Sequence, residues 1–342
     1  MNTRSQRTLS IAALCPVLAI GLLTQAYAQV YGPGGRLTLV SNTPVMTTDV
    51  SGATTVYYTA YTGNNAPAFG LAAGNYGFAS ELTLNLDSSL LAGSIHDIFL
   101  LLNGLTYSLC TGPAWSSSSS RGTAGSEITR LAKTVGAGST QLTLFNGLWV
   151  NADAISGCLN GSSSVSVPAS AGLYLGSVYM TGNGQTSVVM QPAGASGGSN
   201  NIIGLFNAYN RVKAYARSID TRSGGWIYSS TTVREADGSS SNRISFLDGL
   251  GVIPIYAQYT AGVYPASNNG LIGVGINSTT TFSQPPAYYG ASGPSQSSPT
   301  GIGMSYPIVG LNYVQALEAN NSNATISYGV SENPTLYATL EY

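Results

Sequence analysis

No stretch between the apolar runs of this chain carries the roughly 10–15-residue amphipathic period that a βαβ unit places between its strands. What recurs is shorter. About a dozen β-forming runs, roughly 5–15 residues apart, are bounded by Gly, Asn, Ser or Pro. That punctuation argues against a parallel α/β domain and for a β-sandwich or jelly-roll. Residues 54–61, TTVYYTAY, alternate and stop at Thr62-Gly63-Asn64-Asn65. Residues 94–110, SIHDIFLLLNGLTYSLC, read as two buried strands turning at Asn103-Gly104, with a short helix the weaker alternative. Asn146-Gly147 between Gln141–Phe145 and Leu148–Asn151 is a two-residue hairpin signal. Leu173–Thr181 and Gln185–Met190 flank Gly182-Asn183-Gly184 and read as another hairpin. Residues 252–259, VIPIYAQY, hold Pro254, which suits an edge or a bulge; the glycines of LIGVGIN, 271–277, permit close backbone contact. In the tail, Tyr306–Leu311, Asn323–Tyr328 and Thr335–Glu341 read as strands, and Ala316–Asn321 as a turn of helix.

The first 28 residues have Arg4 and Arg7, an apolar run from Ile11 to Leu23, and Ala26-Tyr27-Ala28, the form of an export leader with its cleavage site. Cys15 lies in that run without a lipobox before it. No later stretch reads as a membrane span. Removing the two leader arginines from the 12 bases leaves ten against 13 acids, a formal charge of −3. Such a chain offers no basic face for nucleic acid. Its many Gly, Ser, Thr and Asn residues could suggest disorder, but 22 Tyr and three Trp supply core and β-forming surface. Beyond the leader only Cys110 and Cys158 remain. An export route permits a disulfide between them, and two buried thiols are the alternative.

The central stretch Asn201–Thr232 concentrates charge beside aromatic residues. Lys213, Tyr215 and Arg217 share one strand parity; Val212, Ala214 and Ala216 share the other. Trp226 with Tyr228, and Tyr209 with Asn210 and Arg211, are the leading ligand-contact candidates, with Tyr215 beside the positive row. An aromatic ring meets the C–H face of a sugar while neighbouring polar groups meet its hydroxyls. The competing reading gives the same rings to sheet cores and subunit interfaces.

Gly34–Asn65, with its Gly-Arg-Leu-Thr-Leu strand, Pro-Val-Met turn and Tyr-Tyr-Thr-x-Tyr-x-Gly-Asn segment, resembles the opening of tail-fibre-like appendage proteins of bacteriophages and prophages. The resemblance runs on through IHDIFLLLNG (95–104), GPAWSSSSSRGT (112–123), FNGLWVNAD (145–153), FNAYNR (206–211) and the tail from 310 to 342. It implies a structural or host-contact role and self-association, with a trimer favoured because phage fibres commonly trimerise. It carries no catalytic residues. The export leader departs from the pattern of phage tail parts, which assemble in the host cytoplasm. A domesticated prophage gene encoding a secreted or surface protein fits both observations.

Catalytic signals are sparse. His96 is the sole histidine and no Gly-x-Ser-x-Gly elbow occurs. Asp220, Glu235, Asp237 and Asp248 lie near the central block, where a glycosidase would need two carboxylates facing one bond. No metal pattern and no cofactor motif is present. The expectation is an all-β protein with a β-sandwich or jelly-roll-like main domain. Its segments are an export leader (1–28), a small N-terminal β module (29–92), the sandwich (93–282), a Pro/Ser/Gly-rich linker or loop (283–300) and a C-terminal β segment (301–342). Its expected role is structural or surface-attaching, with a cell-surface glycan as partner. A secreted glycan hydrolase and a ligand-free oligomeric scaffold are the alternatives.

Overall fold

The computed structural model describes residues 32–68, 74–78, 80–115, 142–251, 254–265, 270–289, 297–306, 308–321, 326–329 and 333–342. The export leader, Cys15 and part of the 283–300 loop lie outside the described residues. The fold is all-β; one short 3-10 turn, Ala236–Gly238, is the only helical element among the described residues. No helix there is long and apolar enough to cross a membrane.

Two eight-stranded sheets form the body. One runs in the order Ser163–Val167, Ile155–Asn160, Thr106–Ala114, Ile95–Asn103, Leu173–Tyr179, Leu148–Asn151, Leu142–Phe145, with Leu205–Asn207 also paired to Leu173–Tyr179. Its hairpin turns where the sequence marks it: Asn146 and Gly147 have φ of 51° and 80°, as a type I′ turn requires. Cys110 and Cys158, on neighbouring strands, form a disulfide with Cα atoms 5.4 Å apart, packed among Phe99, Trp115, Ile155 and Val167.

The other eight-stranded sheet is ordered Val50–Ala53, Thr186–Val189, Asn201–Ile203, Arg243–Asp248, Gly310–Asn320, Gly270–Ile276, Ala287–Tyr289, with Arg234–Glu235 paired to Gly310–Asn320. Gly310–Asn320 is buried along its whole length. It replaces the helical turn expected at Ala316–Asn321, because burial between two neighbouring strands outweighs the helix propensity of Gln-Ala-Leu-Glu-Ala. Leu173–Tyr179 and Thr186–Val189 do not form the expected hairpin. Leu173–Tyr179 already has neighbours on both edges, so the chain passes into the other sheet after Gly182-Asn183-Gly184. The strand 201–207 joins the two sheets. Asn201–Ile203 belongs to one and Leu205–Asn207 to the other, and Gly204 between them donates to the Ser187 carbonyl and accepts from the Tyr179 N–H.

A four-stranded antiparallel sheet, Lys213–Ile219, Thr335–Glu341, Ile255–Thr260 and Thr300–Ser305 in spatial order, packs on the face of the second sheet to complete a sandwich. The backbones come unusually close there. A Cβ on Gly301 would lie 2.5 Å from the Cα of Gly273, the close contact anticipated for LIGVGIN. Pro254 precedes Ile255–Thr260, an interior strand, so it removes no hydrogen bond from the ladder.

Strand pairing crosses the segment limits read from the sequence. Val50–Ala53 and Gly310–Asn320 share one sheet with the middle of the chain. The N-terminal three-stranded sheet (Gly35–Thr38, Thr55–Ala60, Leu82–Asn85) is tied to the body by side-chain amides. Asn207 Oδ1 accepts the Leu37 N–H at 2.7 Å and its Nδ2 donates to the Leu37 carbonyl, while Asn160 bridges Asn85 and Thr83. Arg36 is wholly buried; it donates to the backbone oxygens of Asn210, Pro44 and Tyr342 and lies 4.2 Å from the Tyr342 ring centroid. The small module thus completes its burial against its neighbours.

The disulfide closes a loop of sequence separation 48. Loop-closure entropy predicts that a Cys110→Ala, Cys158→Ala double variant loses about 4 kcal/mol of unfolding free energy. Urea denaturation at matched conditions measures it; an unchanged midpoint would contradict the constraint.

Candidate functional site

The four-stranded sheet has two unlike faces. Ala214, Ala216, Leu336, Ala338, Leu340, Ile255, Ala257 and Tyr259 point into the sandwich and are buried. The alternate positions point outward, as the period of two demands. Register places them in rows. Tyr215 opposes Thr339, which opposes Tyr256, which opposes Met304; Arg217 opposes Tyr337, which opposes Gln258, which opposes Ile302. Tyr215 is 63% exposed and Tyr256, Tyr337 and Met304 are 43%, 41% and 52% exposed. At the end of the sheet Lys213 opposes Glu341. Among these outward positions of the four strands, Glu341 is the single acid.

Open clefts surround that end. In one, Tyr209, Asn210, Arg211 and Glu341 meet Pro33, Gly34 and Thr62. A second is lined by Lys213, Pro254, Tyr256, Met304 and Tyr306. A third brings Asp49, Gln191, Lys213 and Tyr215 together.

The sequence candidates divide between two places. Tyr209, Asn210 and Arg211 share the first cleft, but each also serves the fold. The Tyr209 hydroxyl accepts the Trp149 N–H at 2.8 Å, and burial pushes its pKa up to about 12. Asn210, in the left-handed region at φ 53°, donates to the carbonyls of Pro33 and Gly35. Arg211 lies 3.6 Å from Glu341. Tyr215 stands on the exposed sheet face, with Lys213 and Arg217 on its own strand. Tyr256, Tyr337 and Met304 were not singled out beforehand; the alternation of IYAQYT and TLYATLE carries that signal.

Trp226 and Tyr228 lie elsewhere. Trp226 is 7% exposed, so it is a core ring and not a ligand platform. It stacks on Tyr328 with centroids 6.2 Å apart, and its Nε1 donates to Glu318 at 2.6 Å. Arg234 donates to the other Glu318 oxygen from Nε and Nη2, at 2.8 and 2.7 Å, and covers the Tyr228 ring. Burial outweighs these donors and pushes the Glu318 pKa up to about 7.

The other chemistry-bearing groups are also committed to the fold. His96 is buried; its Nδ1 donates to the Gly112 carbonyl and its Nε2 pairs with Ser94 Oγ at 2.8 Å. The position an acid holds in a triad is taken by a carbonyl. Asp97 accepts from Ser177 and from Trp115, a core residue at 3% exposure. Asp220 accepts the N–H groups of Gly197 and Arg222; Asp248 accepts those of Leu250 and Gly251. Asp237 pairs with Arg222 and Glu235 with Arg243. Among the described residues no group of three His, Cys, Asp or Glu side chains is placed to hold a metal ion.

No family model and no curated protein matches the chain. Among solved structures, a Bacillus thuringiensis Cry1Da tryptic core variant matches at 9% identity and a TM-score of 0.21, covering 84% of this chain and 48% of its own. The chain therefore spans about half the length of that protein, and a TM-score so low carries no argument.

Glu318 makes stability depend on pH. A carboxyl whose folded pKa of about 7 exceeds its usual 4.5 contributes stability that is complete below 4.5 and lost as pH rises through 7. The stability of the native protein relative to Glu318→Gln should therefore fall across that window. His96, whose pKa burial lowers, adds the opposite slope to both proteins and cancels in the comparison. Denaturation midpoints of the two proteins from acid to neutral pH measure this; a pH-independent difference would refute it.

Proposed function

We propose that this chain is a structural, surface-attachment protein of the phage-appendage type its sequence resembles, and that it holds cell-surface glycan on the outer face of the four-stranded sheet. The observation that carries this reading is the exposed group Tyr215, Tyr256 and Tyr337 on one rigid face. Tyr215 and Tyr256 are two strand spacings apart, about 10 Å. Rings so placed suit successive units of a chain of sugars, with Thr339 between them and Gln258 beside Tyr256 on its strand for hydroxyls. A face built on strands is ordered before binding, so little entropy is lost when ligand arrives.

Binding is favoured over bond cleavage because this face presents no pair of carboxylates. The acids of the central block, which a hydrolase would need, are engaged with backbone N–H groups or arginines. The leader and the disulfide support an exported protein, secreted or held at the cell surface. Self-association, as a trimer, follows from the resemblance. Met304, 52% exposed, and Tyr306, 71% exposed, give the outermost strand of this sheet and its flank an apolar contact suited to another subunit.

A glycan array probed with the intact protein and with a Tyr215→Ala, Tyr256→Ala variant tests the reading. Loss of two stacking contacts should weaken the positive signals about tenfold. An unchanged pattern, or no signal from the intact protein, would sink it. Native mass measurement should find three copies, and a monomer at micromolar concentration would remove the trimer.

A further inference from the structure

We infer that the glycan taken by this face is anionic, a carboxylate-bearing polysaccharide whose acid groups meet Lys213 and Arg217. The inference rests on the reading above and specifies its ligand class. Lys213 and Arg217 lie on the strand that carries Tyr215, two residues to either side of it, and all three point outward. The two Cα atoms are therefore about 13 Å apart, with an exposed ring midway. Neither cation is consumed by the fold. Among the described residues no carboxylate lies within ion-pair distance of either one; Lys213 is exposed, while Arg217 is half-buried and its Nε, shielded from solvent, has no acceptor.

The nearby acids are occupied. Glu341, opposite Lys213 in register, pairs with Arg211 at 3.6 Å. Asp49, across the adjoining cleft, accepts the N–H groups of Met190 and Gln191 at 2.8 and 3.2 Å. The contrast with the rest of the molecule is informative. Arg211, Arg222, Arg234 and Arg243 each face a carboxylate, and buried Arg36 faces three backbone oxygens. In a chain with a net negative charge, two unpaired cations bracketing a tyrosine form a local site of opposite sign. A guanidinium and an ammonium match carboxylates, and a sugar ring carrying one has an apolar face for Tyr215 or Tyr337. A neutral glycan would leave both charges unanswered.

The test uses the full chain with linear polyuronates, each compared with its own carboxyl-reduced, neutral counterpart. The intact protein should bind a polyuronate about tenfold or more tightly than the reduced polymer, and added salt should weaken only the former. A Lys213→Ala, Arg217→Gln variant should lose that preference while keeping the near-ultraviolet circular dichroism of the intact protein, since both side chains project from the outer face of the sheet. Equal binding of acidic and reduced polymers would overturn the inference and leave glycan attachment standing. A preference that survives in the variant would place the acidic site elsewhere and also overturn it. Absence of binding to every polyuronate would overturn it too; Tyr215-dependent signals from neutral glycans would then preserve the broader reading, and their absence would remove both.

Discussion

A strand buried on both faces must satisfy its polar side chains inside the protein, and Gly310–Asn320 does so four times. Asn312 donates to the carbonyls of Ile308 and Gly310 and accepts from Asn277. Gln315 donates to Ser239 and Asn242 and accepts from Arg243. Glu318 takes Trp226 and Arg234; Asn320 takes the Tyr328 hydroxyl and donates to Tyr228. Asn312 holds Ile308 and Asn277, Gln315 holds the turn from Ser239 to Arg243, and Glu318 and Asn320 together hold Trp226–Tyr228. One strand therefore organises both its sheet and the loops folded over it, and leaving any of its polar groups unpaired would cost about 1–3 kcal/mol.

The same accounting separates structural groups from available ones. Around Gly310–Asn320, Trp226 and Arg234 engage Glu318, and Arg243 engages Gln315 and Glu235, so these side chains hold the fold. On the outer face of the four-stranded sheet the aromatic rings are exposed and two cations lack partners. A residue type alone does not make this distinction. Trp226 and Tyr215 are both aromatic residues in the central block, yet one is a core ring and the other stands in solvent.

Local pattern was readable where the physics is local. Alternation placed Lys213, Tyr215 and Arg217 on one side of their strand, Asn146-Gly147 marked its hairpin, and the glycines of residues 271–277 signalled a close approach. Long-range pairing was not readable. The tail strand at 310–320 has the helix formers Gln, Ala, Leu and Glu, and its strand state comes from neighbours far away in sequence. The turn after Tyr179 looks like a hairpin, but the strand before it is already paired on both edges. Tyr256 and Tyr337 escaped notice because they come from segments far apart in sequence and meet Tyr215 only through register.

The strand 201–207 has a mechanical consequence. Because one continuous segment is hydrogen-bonded into both eight-stranded sheets, with Gly204 bonded to each, the sheets share a covalent and hydrogen-bonded spine. Tension applied at the outer tyrosine face would pass through the packed sandwich into that spine. Pulling this segment out of either sheet would require breaking the ladder bonds on that side of Gly204 together.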